Sequence, residues 1–86
     1  GLDTGDMLLK QACSITPEET SETLQNKLTS LGAKALIEAL EKLEKGALIR
    51  EKQNPAEATY ASKIFKEDAK LNWNESAIHL DRKIRA

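Results

Sequence analysis

Apolar and polar positions change period three times along the chain. From Met7 to Ile15 they roughly alternate. Leu9, Cys13 and Ile15 share one face with Gln11, and Leu8 and Ala12 share the other with Lys10 and Ser14. That two-residue period predicts a strand, and apolar groups on both faces predict one covered from both sides inside an α/β domain. Thr16-Pro17 ends it. From Glu22 to Lys45 the period lengthens. Leu24, Leu28, Leu31 and Ala35 form a stripe that Leu36, Ala39, Leu40 and Leu43 continue, which predicts a helix of that span. Thr20 or Ser21 supplies the N-cap, Glu22 puts negative charge at the positive end, and Lys42 and Lys45 complement the negative end. Gly32 lies inside and costs up to ~1 kcal/mol relative to Ala, which the flanking pattern outweighs. Gly46 is the C′ residue. The stripe is too broad for a coiled-coil seam and reads as core.

Beyond Gly46 the pattern is weaker. Ala47-Leu48-Ile49 could form a short strand, and Asn54-Pro55 is a turn or extended signal. Residues 47–62 read mainly as a linker. Thr59–Phe65 and Ala69–Trp73 read as two short extended segments around the polar turn Lys66-Glu67-Asp68. Asn74 caps a last helix starting near Glu75, with Ala77, Leu80 and Ile84 on its buried side.

At 86 residues the chain is at most one small domain, and aromatics make up only 3% of it. The net charge of −1 conceals an asymmetry. The first 59 residues carry seven Lys/Arg against ten Asp/Glu, and the remainder six against four. A basic last third permits a polyanionic partner. The single Cys13 excludes an internal disulfide and fits a reducing, cytoplasmic setting. Placed mid-strand, it reads as a buried thiol. No apolar run approaches the ~18 residues of a membrane span. The opening glycine turn and the close inside an amphipathic helix suggest a piece of a longer polypeptide.

Few residues offer chemistry. His79 stands alone, with no ligand-spaced partner for zinc, and reads as a surface or half-buried structural residue. No metal site, Walker motif or G-x-G-x-x-G is present. Trp73 reads as a packing anchor. Lys63, Lys66 and Lys70 surround one turn and could meet phosphate. The densest polar stretch is Gly1-Leu2-Asp3-Thr4-Gly5-Asp6-Met7.

That stretch, followed by Ser14-Ile15-Thr16 and Glu19-Thr20-Ser21-Glu22-Thr23-Leu24, resembles the back half of a folate-dependent formyltransferase domain. Ala58–Ile64, Lys66-Glu67-Asp68-Ala69-Lys70-Leu71-Asn72-Trp73 and Ile84-Arg85-Ala86 are similar to the linker and second-domain entry of the methionyl-tRNA formyltransferase family. The resemblance implies an α/β fold: residues 1–46 as the C-terminal edge of a Rossmann-like formyltransferase domain (strand plus long helix), 47–65 as an extended linker, and 66–86 as the first helix of an OB-like barrel domain that binds tRNA. Taken alone, the chain would be mainly helical.

The resemblance further implies a monomeric parent enzyme of translation initiation. It would move a formyl group from 10-formyltetrahydrofolate to the amino group of initiator methionyl-tRNA. Asp3 falls on the family's catalytic Asp, and its Asn and His partners would lie upstream. Leu2, Asp3 and Gly5 would line the folate site, and Lys63, with Lys66 and Lys70, would contact tRNA. Two related formyltransferase types, a 10-formyltetrahydrofolate dehydrogenase/hydrolase and a sugar-nucleotide formyltransferase, share the layout. A non-enzymatic helical interaction module, with the Leu-faced helix as its surface, is the reading from another class.

Overall fold

The structure is a computed structural model that describes residues 3–86. Helix α1 spans Ser21–Glu44, and helix α2 spans Ala77–Arg85. Short 3-10 turns occupy Pro55–Glu57 and Lys66–Ala69.

Helix α1 starts and stops where side-chain chemistry closes its ends. Thr20 is the N-cap: its Oγ1 accepts from the Thr23 backbone N–H at 3.2 Å, while Thr23 Oγ1 accepts from the Thr20 N–H at 2.9 Å. This is a reciprocal capping box with Thr in the place usually held by Glu or Gln. At the other end Gly46 takes φ of +66°, the Ala47 N–H donates to the Lys42 carbonyl at 2.7 Å, and the Gly46 N–H donates to that of Leu43 at 3.1 Å. These bonds form a Schellman ending, which needs a left-handed residue at C′. Gly32 leaves the helix unbroken.

The chain before α1 lies along it in the opposite direction. Leu8 sits with Leu43 near the far end of the helix, Gln11 Nε2 donates to Glu38 Oε2 at 2.9 Å, and Lys27 Nζ donates to the Ser14 carbonyl at 3.3 Å. Under this strap Leu24, Leu31, Ala35 and Ala39 are half-buried. Leu36, Leu40 and Leu43 lie about a third of a turn further round the helix. They stay exposed, at 61, 55 and 61%.

The α/β expectation is overturned. Among the described residues there is no strand, no Rossmann-like strand–helix unit and no start of an OB-like barrel. The described residues hold one sheet-like pairing, an isolated antiparallel bridge between Met7 and Glu51 with backbone bonds of 2.7 and 2.8 Å. The physical reason is the edge. A strand needs a neighbour along its length, and Met7–Ile15 meets extended backbone at one position only. Ala47-Leu48-Ile49 forms no strand either, and the segments on either side of Lys66–Ala69 have no ladder partner.

Among the described residues no hydrophobic side chain is buried. Accessible surface is 8062 Å², against ~5,000 Å² for a compact protein of this mass. The radius of gyration is 17.3 Å, against ~12 Å for a compact chain of this length. Cys13 is exposed, not buried, and Trp73 is 79% exposed and anchors nothing. Helix α2 is capped by Ser76, whose Oγ accepts from the His79 N–H at 3.2 Å, while Asn74 lies in the preceding turn with Asn72. Of its expected buried side, Leu80 is half-buried, but Ala77 and Ile84 are exposed.

Candidate functional site

Asp3 takes φ of +64°. A non-glycine residue rarely enters this left-handed region, and Asp is among those that tolerate it. The turn is held by a distant side chain. Gln53 Nε2 donates to the carbonyls of Asp3 at 3.0 Å and Gly5 at 2.7 Å. Two residues further on, the Met7–Glu51 bridge and a 2.9 Å ion pair between Lys10 and Glu51 fasten the same two stretches. The Asp3 side chain is exposed. Nothing within 4 Å would meet a Cβ added at Gly5, and Gly5 does not take a positive φ. The described chain itself therefore makes no demand for glycine there. The expectation for Leu2 lies outside the described residues.

Lys63, Lys66 and Lys70 lie on one irregular stretch. Lys66 opens the second 3-10 turn and Lys70 follows its end. Asp68 Oδ2 accepts from the Phe65 N–H at 2.7 Å and closes that turn. All three lysines are exposed, and Lys63 Nζ sits 6.0 Å from the centre of the Phe65 ring. The ion pairs among the described residues are made by other cations, so these three ammonium groups remain available to an anion.

A third cluster was not anticipated from the sequence. Glu19 is the buried polar residue of the described chain. Its carboxylate accepts from the Thr23 hydroxyl and pairs with Lys27. The Lys27 ammonium, followed by the Thr23 hydroxyl, holds the Glu19 carboxyl below the usual carboxylate range. The Glu19 carbonyl accepts from Arg85 Nη1 at 2.9 Å. Beside this contact a cleft of ≈ 550 Å³ separates the start of α1 from α2, lined by Ile15, Leu24 and Ile78 among others. Neither Gln53 nor Arg85 carries a sequence signal for its role. Their contacts reach back 48 to 66 residues, and no local pattern encodes such a distance.

His79 is exposed, with Nε2 2.9 Å from Oε2 of Glu75, which lies just before the Ser76 cap of α2. No group of three or more His, Cys, Asp or Glu side chains among the described residues could hold a metal ion, and no helix is long and apolar enough to cross a membrane.

Comparison with known proteins extends the geometry. The formyl transferase family profile matches residues 1–40. A methionyl-tRNA formyltransferase of Coxiella burnetii is 54% identical over all 86 residues, which cover 100% of this chain and 27% of that protein. The same enzyme from two further Coxiella burnetii strains is 51% identical with the same coverage. The chain thus spans about a quarter of the length of the curated relatives it matches. Along its full length, this chain is homologous to a segment of the methionyl-tRNA formyltransferases.

Proposed function

We propose that these 86 residues work within a longer polypeptide that formylates the amino group of initiator methionyl-tRNA, using 10-formyltetrahydrofolate as donor, in the cytoplasm at the start of translation. The observation that carries this reading is the 54% identity to a methionyl-tRNA formyltransferase across the entire chain. The missing core supports the longer polypeptide. A surface with Leu36, Leu40, Leu43, Ile49 and Trp73 all more than half exposed is the inner surface of something larger.

In this reading residues 1–46 belong to the formyl-transfer region, 47–65 link, and 66–86 open the tRNA-binding region. In the reaction the methionine amine attacks the formyl carbon. The new C–N bond forms as the bond from that carbon to N10 of the folate breaks. The amine gives up a proton and N10 gains one. Asp3 orients and stabilises the protonated His that the resemblance places outside these residues, and serves the proton relay. The exposed carboxylate on a turn pinned by Gln53 suits a group that must face a partner supplied from elsewhere. Gly5 keeps the turn open to the pterin beside Leu2 and Asp3. Lys63, Lys66 and Lys70 meet tRNA phosphates.

The test is Asp3→Asn in the full-length enzyme. Turnover is expected to fall by about 10²-fold or more, within the range for loss of acid–base function, while far-ultraviolet circular dichroism stays unchanged. Near-normal turnover would overturn the role given to Asp3.

A further inference from the structure

Three stretches of chain meet at Glu19: residues 14–16, the start of α1 and the end of α2. Its N–H donates to the Thr16 carbonyl at 3.1 Å, and its carboxylate holds Thr23 and Lys27. Lys27 in turn reaches the Ser14 carbonyl, and the Glu19 carbonyl receives Arg85 from 66 residues away. Arg85 is fixed at both ends of its fork. Nε donates to Asp81 Oδ2 at 2.9 Å while Nη1 donates to Glu19, and the side chain is only 23% exposed.

Apolar packing does little to hold α2 there. Ile78 and Ile84 are 65 and 69% exposed, and the cleft between α2 and α1 is unfilled. The other polar tether of α2, Lys83 Nζ to the Lys70 carbonyl at 2.8 Å, ties it to the segment just before it and not to α1. A cation also sits awkwardly near the positive end of a helix. The Glu19 carboxylate and carbonyl, one residue before the cap, offset that charge.

We infer that Arg85 is a positioning residue: through the Glu19 carbonyl it sets α2 on the start of α1 and so fixes the tRNA-binding region relative to the formyl-transfer region. The contact stands on the geometry. Its consequence for tRNA rests on the function proposed above. Lysine cannot replace the arginine fully, because a single ammonium lacks the planar fork that serves Asp81 and Glu19 together.

The experiment uses the full-length protein with Cys13→Ser, spin labels on Ser30→Cys and Ala77→Cys, and pulsed dipolar spectroscopy. Both label sites are exposed. With Arg85 present the distance distribution is narrow. Arg85→Ala broadens it, and Arg85→Lys gives an intermediate width. In parallel, Arg85→Ala raises KM for methionyl-tRNA roughly tenfold, the scale expected from losing one charge-assisted bond that keeps the competent arrangement populated. KM for the folate and kcat do not change, and Arg85→Lys restores part of the loss. An unchanged narrow distribution in Arg85→Ala overturns the inference. A broadened distribution with unaltered KM for tRNA upholds the contact and overturns its role in tRNA placement. If Arg85→Ala precipitates, Arg85→Gln, which keeps much of the stem and loses the fork, decides by the same distance. A protein that formylates no tRNA at all overturns the proposed function, and the distance still decides the contact.

Discussion

The side-chain amide of Gln53 donates to the carbonyl oxygen of Gly5 at 2.7 Å, bridging 48 residues to hold the turn that carries Asp3. Together with the bond to the Asp3 carbonyl, it makes Gln53 a brace for a left-handed residue. In the full-length protein Gln53→Ala is expected to loosen this turn and leave α1 intact, at a local cost of about 1–2 kcal/mol for two lost bonds. Hydrogen exchange checks it. The Met7 and Glu51 N–H groups, which bridge next to the brace, should exchange faster, while the N–H groups of residues 28–40 should not change.

Glycine at position 5 has no internal reason, since an added Cβ would meet nothing within 4 Å. Gly5→Ala is therefore expected to leave thermal stability within about 0.5 kcal/mol of the parent, or to raise it slightly through a less flexible unfolded chain. The folate-site reading adds that KM for 10-formyltetrahydrofolate rises. Thermal melting and steady-state kinetics on the same variant check the two halves. An unchanged KM would remove Gly5 from the folate site.

How much of this was legible in the sequence differs by element. Helix α1 was legible because its signals are local: the Thr20 cap, the Leu24–Leu31–Ala35 stripe and the left-handed Gly46 all act within one or two turns. The expected strand at Met7–Ile15 failed because alternation describes a strand's faces but not its edges, and Glu51 pairs with Met7 alone. Asn74 and Ser76 are both good caps. The choice fell to Ser76 because its Oγ reaches the N–H three residues on, at His79, while Asn72 engages Asn74. Of the candidate residues, Asp3 is singled out by the resemblance and the lysines by their spacing around one turn, whereas Gln53, Glu19 and Arg85 act through contacts that only the folded chain creates.

Acid should loosen the start of α1. The Glu19 carboxyl is held below its usual range by Lys27 and then Thr23, so folding favours its charged form. A depressed acid contributes stability that is fully present above the unfolded carboxyl value of about 4.3. That stability is lost as pH falls below it, through the lower folded value. The full-length protein should lose protection of the α1 N-terminus in this window, and Glu19→Gln should lower protection at neutral pH and flatten the pH dependence. Hydrogen exchange at residues 23–26 from pH 3 to 7 reads both. A pH dependence that survives in Glu19→Gln would assign the effect to another group.

The exposed face of α1 makes a prediction about the 86-residue chain by itself. With Leu36, Ile37, Leu40 and Leu43 uncovered and no hydrophobic residue buried among the described ones, it should self-associate. Sedimentation velocity should show species that grow with concentration. Replacing Leu36 and Leu40 with Gln should reduce association of the short chain yet destabilise the full-length protein, where the proposed function has the same face covered. A discrete monomer at all concentrations would favour a free-standing helical module instead.

The destination of the formyl group is the decisive measurement. Full-length protein given 10-formyltetrahydrofolate and methionyl initiator tRNA, with the products separated by acid gel and mass spectrometry, decides it. N-formylmethionyl-tRNA is expected in one-to-one amount with the tetrahydrofolate released. Tetrahydrofolate released with free formate and no formylated tRNA, or formyl transfer only to an amino sugar nucleotide, would contradict it.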